Sequence, residues 1–396
     1  MVSARYLVYV RLTATKALII GGGIGGLTAA IALRQAGLDV TVFERRQELE
    51  EVHSGGGMVL WHNAIRGLRE LGLAKQMQAV GSPLQEMEWI SSAGRRLASW
   101  PVAEMNETFG VAAIGVLRAS IHPVLTAALD DGVVQMGVEC TGFSQDSNGV
   151  TAQFAGGHEE HGDVLIGADG IYSLVRADQL GNEAPRYAGY ALSFGVVEAQ
   201  HELVTRNRFR ELGGPGARFI YFPVGGERTY WSAIYVADEA ETKGYGGSKA
   251  ELLPIYDGWP EPVGALLQAT DDSVVFRREI FDRKPVKRWG EGRVTLLGDA
   301  AHAMTPNLGQ GACQAIEDGV VLGKSLGAGG DPVEALRAYE NRRIKRTAGF
   351  VNRSWMIGSL GRWKNPVACA VRDQIQRIVF PTVALREQKK AMAYPF

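Results

Sequence analysis

Continuous apolar runs and helical stripes alternate at the start of the chain. Lys16–Ile20 (KALII) is a near-continuous apolar run, as in a strand buried on both faces. Ile24–Gln35 is rich in Ala and Leu at helical spacing, Gly37 ends it, and Asp39–Glu44 (DVTVFE) is a second buried run. The order strand, tight turn, helix, strand predicts a βαβ unit. Further on, Asn63–Leu71 and Ser120–Leu129 carry helical patterns, the second just behind Arg118. GVVQMGVECTGFSQDSNGVTAQFAGG reads as short strands joined by turns. GDVLIGADG reads as a buried strand that stops at Ala-Asp-Gly.

From Tyr187 to about Phe281 the pattern changes to alternation. ARFIYFPV and RTYWSAIYV, separated by GGE, predict an antiparallel sheet. Helical segments are predicted at Lys249–Tyr256 and Pro260–Ala269. At Arg293 the buried, parallel style returns. Pro332–Val351 and Pro366–Leu385 are helical and amphipathic. There is no internal repeat and no low-complexity tract. The layout is a nucleotide-binding domain interrupted by a β-rich domain.

Composition narrows the partners. The 396 residues are 46% hydrophobic, enough for a large core. With 42 basic and 43 acidic residues the net charge is −1, which offers no footprint for nucleic acid or an anionic membrane surface. Cys140, Cys313 and Cys369 are sparse and odd in number. That argues against a disulfide framework or a zinc site and fits a reducing cytoplasm. Residues 1–15 read as an extension before the first strand, without a signal-peptide pattern, and no run reaches the length of a membrane span.

Gly21-x-Gly23-x-x-Gly26 follows the first strand and opens the first helix. There the first glycine permits the tight turn, the second lets backbone approach a pyrophosphate, and the third lets helix and strand pack closely. The helix N-terminus faces the phosphates. Glu44 closes the second strand about 20 residues on, where a carboxylate accepts from ribose hydroxyls. A lone G-x-G-x-x-G also fits a kinase loop, but the chain has no H-R-D or D-F-G set. RVTLLGDAAHAMTPNLGQGACQAIEDG (Arg293–Gly319) is a further segment of this style. A strand stops at Gly-Asp, a loop carries Pro306 and Gly309-Gln310-Gly311, and an Ala-rich helix follows. Alone, Asp299 reads equally as a helix cap; the loop behind it reads as backbone brought close to something flat and polar.

Taken in order, Gly21–Gly26, GADGIYSLVR (Gly167–Arg176) and Arg293–Gly319 resemble the single-component flavoprotein aromatic hydroxylases. These are the group A monooxygenases of the para-hydroxybenzoate hydroxylase fold. The resemblance spans roughly Lys16 to Arg346. Its finer pattern is nearest to the branch holding urate hydroxylase, salicylate hydroxylase and zeaxanthin epoxidase. It implies an α/β fold: a Rossmann-like FAD-binding domain (16–80, 111–182 and 285–330) interrupted by a β-rich, mostly antiparallel substrate domain (81–110 and 183–284). A C-terminal helical segment (331–396) follows. It implies FAD contacts from Gly21, Gly23, Gly26, Glu44, Arg45, Arg118, Asp169, Asp299, Pro306, Gly309, Gln310, Gly311 and Ala312. Asp299 would hold the ribitol or ribose side, and the loop from Pro306 would lie against the isoalloxazine ring. Asp169 and Arg176 share a pattern linked also to the nicotinamide cofactor. Cys313 stands where many relatives have Asn and reads as a buried thiol. His62 stands where they have Pro and reads as a satisfied histidine.

The resemblance further implies FAD with NADH or NADPH as a transient co-substrate, since no second G-x-G-x-x-G is present. The implied reaction is hydroxylation or epoxidation of an aromatic or conjugated small molecule with O2, through a flavin C4a-hydroperoxide. Arg218 and Tyr230 match substrate-facing positions of the urate hydroxylase branch, Arg218 to stabilise an anionic ring and Tyr230 to hydrogen-bond its oxygen. Phe194, Tyr221 and Phe222 read individually as core, with apolar lining of the pocket as the alternative. The expected state is a cytoplasmic monomer or homodimer with no nucleic-acid or membrane partner. The alternatives are a flavin-dependent reductase or oxidase without oxygen insertion, and a non-enzymatic binding protein on the same fold.

Overall fold

The structure, a computed structural model, describes residues 15–48, 56–198, 206–239, 247–379 and 385–396. The expected N-terminal extension lies outside these, apart from Thr15.

Three apolar runs form the centre of a five-stranded parallel sheet. Lys16–Ile20 lies between Val164–Gly167 and Asp39–Glu44, with Val294–Leu296 and Val134–Met136 at the edges. Lys16–Ile20, Val164–Gly167 and Val294–Leu296 are buried on both faces, which explains why they read as continuous rather than alternating. The helices Ile24–Gln35 and Gly311–Gly327 cover it. They touch closely because a Cβ on Gly323 would stand 2.5 Å from that of Ala32.

The alternating segments form a seven-stranded sheet. Its order is Phe276–Asp282, Arg186–Glu198, Arg228–Val236, Ala217–Pro223, Arg208–Gly213, Glu86–Ser91 and Arg96–Pro101. All pairs are antiparallel except Arg208–Gly213 with Glu86–Ser91. Period-two alternation gives this sheet two different faces. Phe219, Tyr221, Trp231 and Tyr235 pack on Tyr256 and the helix Val263–Ala269. Arg218, Phe222, Tyr230 and Ile234 occupy the other face, toward the parallel-sheet half of the molecule, where Phe222 and Tyr230 join its main core.

Several helices differ from their predicted bounds. Lys249–Tyr256 is helical only over Lys249–Leu252. Ser120–Leu129 is helical over Arg118–Thr126, so Arg118 is the first helical residue. Pro332–Val351 continues to Gly361, because no breaker occurs before Asn365-Pro366. Pro366–Leu385 is helical over Pro366–Val379, and residues 380–384 lie outside the described set. This last helix turns Cys369, Arg372 and Asp373 inward, while Val367, Val371, Ile375 and Ile378 are exposed. Among the described residues, no helix is long and apolar enough to cross a membrane.

Candidate functional site

The three motifs meet at the carboxyl ends of the central parallel strands. Ala168 donates its N–H to Ile20 and Leu297 donates to Gly167, each at a strand end. Gly21 crosses so close to Ala168 that a Cβ would lie 2.4 Å from its carbonyl oxygen. Gly21 has φ +111°, a left-handed conformation open to glycine. Gly26 sits over Gly21 on the opposite side, and around Gly23 a Cβ would meet nothing within 4 Å. Two glycines thus serve packing, and one leaves open space at a helix N-terminus.

Glu44 is buried, and its carboxylate accepts from the N–H of Gly22 at 2.8 Å and of Arg46 at 3.1 Å. It is thereby fixed beside the glycine turn. Arg45, next to it, is exposed.

Asp299 does not cap its helix. The cap position of Asp299–His302 is Gly298, and Asp299 begins the helix exposed, with no side-chain hydrogen bond described. Its neighbour in charge is Arg118. Burial lowers the Arg118 guanidinium pKa, and the Asp299 carboxylate partly offsets that. Arg118 Nε is buried without a protein partner.

Asp169 accepts at Oδ2 from the N–H groups of Leu174 (2.8 Å) and Val175 (3.3 Å), while Oδ1 is buried and unpartnered. Burial raises its pKa. Arg176 reaches across to the carbonyls of Ala300 and Ala301, at 3.0 and 3.1 Å. It holds the short helix that presents Asp299. Desolvation, reinforced by Arg283, lowers Arg176 to about 10.

In the loop from Pro306 to Ala312, Pro306 and Gly309 are exposed, Gly311 and Ala312 are half-buried and Gln310 is buried. A Cβ on Gly311 would meet nothing within 4 Å, so the N-terminus of Gly311–Gly327 also faces open space. Gln310 is held from below. Asn63 Nδ2 donates to Gln310 Oε1 (3.0 Å) and to Glu317 Oε1 (2.6 Å). Glu317 pairs with Arg343 and Arg346, and Arg343 Nε also donates to Asp318 at 2.6 Å. Asp318 in turn meets His302 Nε2 at 2.5 Å and the N–H of Gly298 at 3.0 Å. Burial pushes the Asp318 carboxyl up, but His302 and Arg343 outweigh it and hold it at about 2. One buried network therefore fixes both ends of the segment from Gly298 to Gln310. Sequence reading missed it. The signal was present: adjacent acids Glu317-Asp318 in an otherwise apolar helix, and Arg343 and Arg346 one turn apart.

Cys313 is a buried thiol, as expected. Burial pushes it up to about 12, and it accepts from the N–H of Trp61 at 3.4 Å. His62 is buried and bonded to Asn106 at 2.8 Å. Desolvation lowers it to about 4, so it is neutral and not a proton carrier at working pH.

Tyr230 and Arg218 lie on the same sheet face, at different places. Tyr230 is buried between Phe194 and Phe222, with its ring against the backbone of Gly56-Gly57. Burial drives its phenol pKa well above 10, so it stays protonated. Phe194 and Phe222 are core residues on the Tyr230 side, and Tyr221 lies in the core of the opposite face. The lining alternative for Tyr221 is ruled out because the pleat reverses successive side chains, which leaves it as core. Arg218 is tied to protein groups on both sides, as described below.

The unpartnered Arg118 Nε and Asp169 Oδ1, the open carboxylate of Asp299 and two helix N-termini facing free space suit an extended, phosphate-bearing dinucleotide. A separate cavity of about 210 Å³ is lined by Arg176, Arg186, Arg283, Lys284, Glu183 and Ala184.

Comparison with known proteins agrees. Residues 14–354 match the family model "FAD binding domain". The chain is 39% identical over 367 residues to the aurachin C monooxygenase/isomerase of Stigmatella aurantiaca, covering 93% of this chain and 95% of that one. It is 36% identical over 338 residues to an FAD-dependent urate hydroxylase of Klebsiella pneumoniae, covering 85% and 88%. The solved structure of Klebsiella pneumoniae HpxO with FAD and uric acid superposes with a TM-score of 0.88 at 32% identity, over 96% of each chain.

Proposed function

We propose, for a chain that belongs to the FAD binding domain family of group A flavoprotein monooxygenases, a division of labour among its own residues. The chain is an FAD-dependent monooxygenase that uses NAD(P)H and O2 to hydroxylate or epoxidise an aromatic or conjugated small molecule. FAD, when bound, supplies the redox and oxygen-activating chemistry. The rest falls to the protein.

In this reading Gly21, Gly23 and Gly26 admit the pyrophosphate at the first helix N-terminus, and Glu44 and Arg45 flank the adenosine ribose. Arg118 through Nε, Asp169 through Oδ1 and Asp299 through its exposed carboxylate meet the ribose–phosphate chain. Pro306, Gly309, Gln310, Gly311 and Ala312 shape the ring site. The N-terminus of Gly311–Gly327 stabilises negative charge there. Tyr230 donates to a substrate oxygen from a water-poor wall that Phe194 and Phe222 complete. The cavity with three arginines and Lys284 takes the phosphates of NAD(P)H. Its cations outnumber its single acid, and among the described residues Arg283 and Arg176 bond to backbone carbonyls.

The observation that carries the reading is an exposed Asp299 and an open Gly23 beyond strands of the same parallel sheet, with the buried Arg118, whose Nε lacks a protein partner, facing the Asp299 charge. Three unpaired cysteines fit a reducing cytoplasm. NAD(P)H consumption should be measured across a panel of hydroxylated and amide-bearing aromatic rings, with flavin content determined beforehand. Flavin uptake and substrate-stimulated oxidation with oxygenated product are expected. Oxidation with no oxygenated product from any ring would favour a reductase or oxidase.

A further inference from the structure

Arg218 is committed on both sides to protein groups. Its Nη1 donates to Glu211 Oε1 on the neighbouring strand at 3.1 Å, and its Nη2 donates to Asn307 Oδ1. The two charged side chains are only 8% and 13% exposed. The end of the long helix closes over them: a Cβ on Gly361 would lie 3.0 Å from Arg218 Nε. An arginine so neutralised and enclosed is a poor counter-ion for an anionic ring.

Asn307 is the other half of this arrangement. Its amide nitrogen lies 2.9 Å from the Tyr190 hydroxyl, 2.8 Å from Thr305 Oγ1 and 2.9 Å from the Ser354 carbonyl. Two amide protons are shared among three acceptors. Tyr190 belongs to one strand of the large sheet, Arg218 to another, and Ser354 to the helix Pro332–Gly361. Asn307 itself sits between Pro306 and Gly309. All four of its partners are well buried. Glu211 cancels the Arg218 charge, so the junction adds little field beside the ring site.

We propose that Asn307 is a positioning residue. Through Arg218 and Glu211 it fixes the Pro306–Gly311 segment against the sheet that carries the substrate, and so sets the distance between ring site and substrate. The proposal rests on the flavoenzyme reading above and deepens it. It assigns Arg218 to positioning rather than to substrate charge. A small displacement between reacting partners costs on the order of 100-fold.

The test uses the full chain in two forms. In the flavin-free protein, hydrogen exchange of the peptide spanning residues 304–312 reports the clamp directly. Asn307→Ala is expected to speed it at least about 10-fold, leaving the strand Lys16–Ile20 unchanged. In the holoenzyme, the same variant should keep wild-type flavin content and KM, while product formed per NAD(P)H falls about 10-fold and hydrogen peroxide rises. Asn307→Asp keeps an acceptor for Arg218 and should recover part of both losses. Unchanged exchange in Asn307→Ala overturns the proposal, as does flavin loss with normal exchange, which would make Asn307 a cofactor ligand. If Asn307→Ala fails to fold, Arg218→Lys is used. It keeps the charge but lacks the forked geometry, and the same two readouts apply. A wild-type chain that takes up no flavin would sink the flavoenzyme reading, while the exchange result would still decide the clamp.

Discussion

A Cβ on Gly26 would lie 2.0 Å from the carbonyl oxygen of Gly21. The same construction at Gly23 meets nothing within 4 Å. The two glycines are therefore required for different reasons, one by the fold and one by what enters the space. We predict that Gly26→Ala destabilises the flavin-free protein, by about 1–3 kcal/mol as overpacked sites do. Gly23→Ala should leave flavin-free stability within about 0.5 kcal/mol yet weaken FAD binding. Chemical denaturation of both flavin-free variants, with FAD titration, checks this. Equal destabilisation by both would refute the distinction.

Asp299 carries no cap bond, so removing it should not unfold its helix. Asp299→Ala is expected to lower the flavin-to-protein ratio while the flavin-free melting temperature holds. The absorbance ratio of flavin to protein and a melting curve suffice. Full flavin content with a lowered melting temperature would return Asp299 to a structural role.

Arg343 stands between Glu317 and Asp318, all three fully buried. Both carboxyls are pushed up by burial and pulled down more strongly by their partners, Arg343 first for Glu317 and His302 first for Asp318. Arg343→Met would leave two adjacent buried carboxylates without the cation they share. A loss of roughly 3–5 kcal/mol is expected, the usual cost of breaking a buried ion pair from one side. Adding Glu317→Gln to that variant should restore part of it. Urea unfolding of the two variants gives the comparison, and a loss below about 1 kcal/mol would mean the network is not holding the helices together.

His62 sets an acid limit. Its folded pKa, about 4, lies below the ordinary 6.5, so the unfolded chain binds the proton first. Stability from this group is fully present above 6.5, falls as pH drops toward 4, and changes little below that. The full drop amounts to about 3 kcal/mol at 1.36 kcal/mol per unit. Asp318 acts lower still, losing its contribution as pH falls through about 2. His62→Gln should flatten the stability curve between pH 6.5 and 4. A slope in that window identical to wild type would assign the acid sensitivity elsewhere.

Tyr230 does not ionise at working pH, because burial drives its phenol upward. Tyr230→Phe should keep FAD and the pH profile of flavin reduction. It should lower product yield on the order of 100-fold for a substrate whose oxygen it bonds. Assaying product and peroxide together shows this; unchanged yield would leave Tyr230 as packing.

How much of this was legible in the sequence depended on the kind of signal. Lys16–Ile20, Ile24–Gln35 and Asp39–Glu44 fell on their predicted bounds, because unbroken apolar runs and a helical stripe punctuated by glycine leave few alternatives. Weak stops gave weak ends: nothing in residues 352–361 breaks a helix, so its true length could not be read. Long-range pairing was invisible. Glu86–Ser91 lies parallel to Arg208–Gly213, more than a hundred positions away, and no local pattern encodes that partner. For the same reason the sequence singled out Arg218 but not Glu211 or Asn307, which matter by contact rather than by motif. Periodicity also gives a helix two faces without saying which turns inward. The segment from Pro366 showed a clear stripe, and the stripe proved to be outside.

That outward stripe has a practical consequence for anyone preparing the protein. Val367, Val371, Ile375 and Ile378 make a greasy ridge along one flank, bordered by Trp363 and interrupted by no exposed acid. Colloidal behaviour will follow that ridge more than the near-neutral net charge. Raising salt, which suppresses clumping between charged surfaces, will promote it here. Retention on a phenyl column, and its loss when Val371 and Ile375 become glutamates, would show the ridge governing how the molecule behaves in a tube.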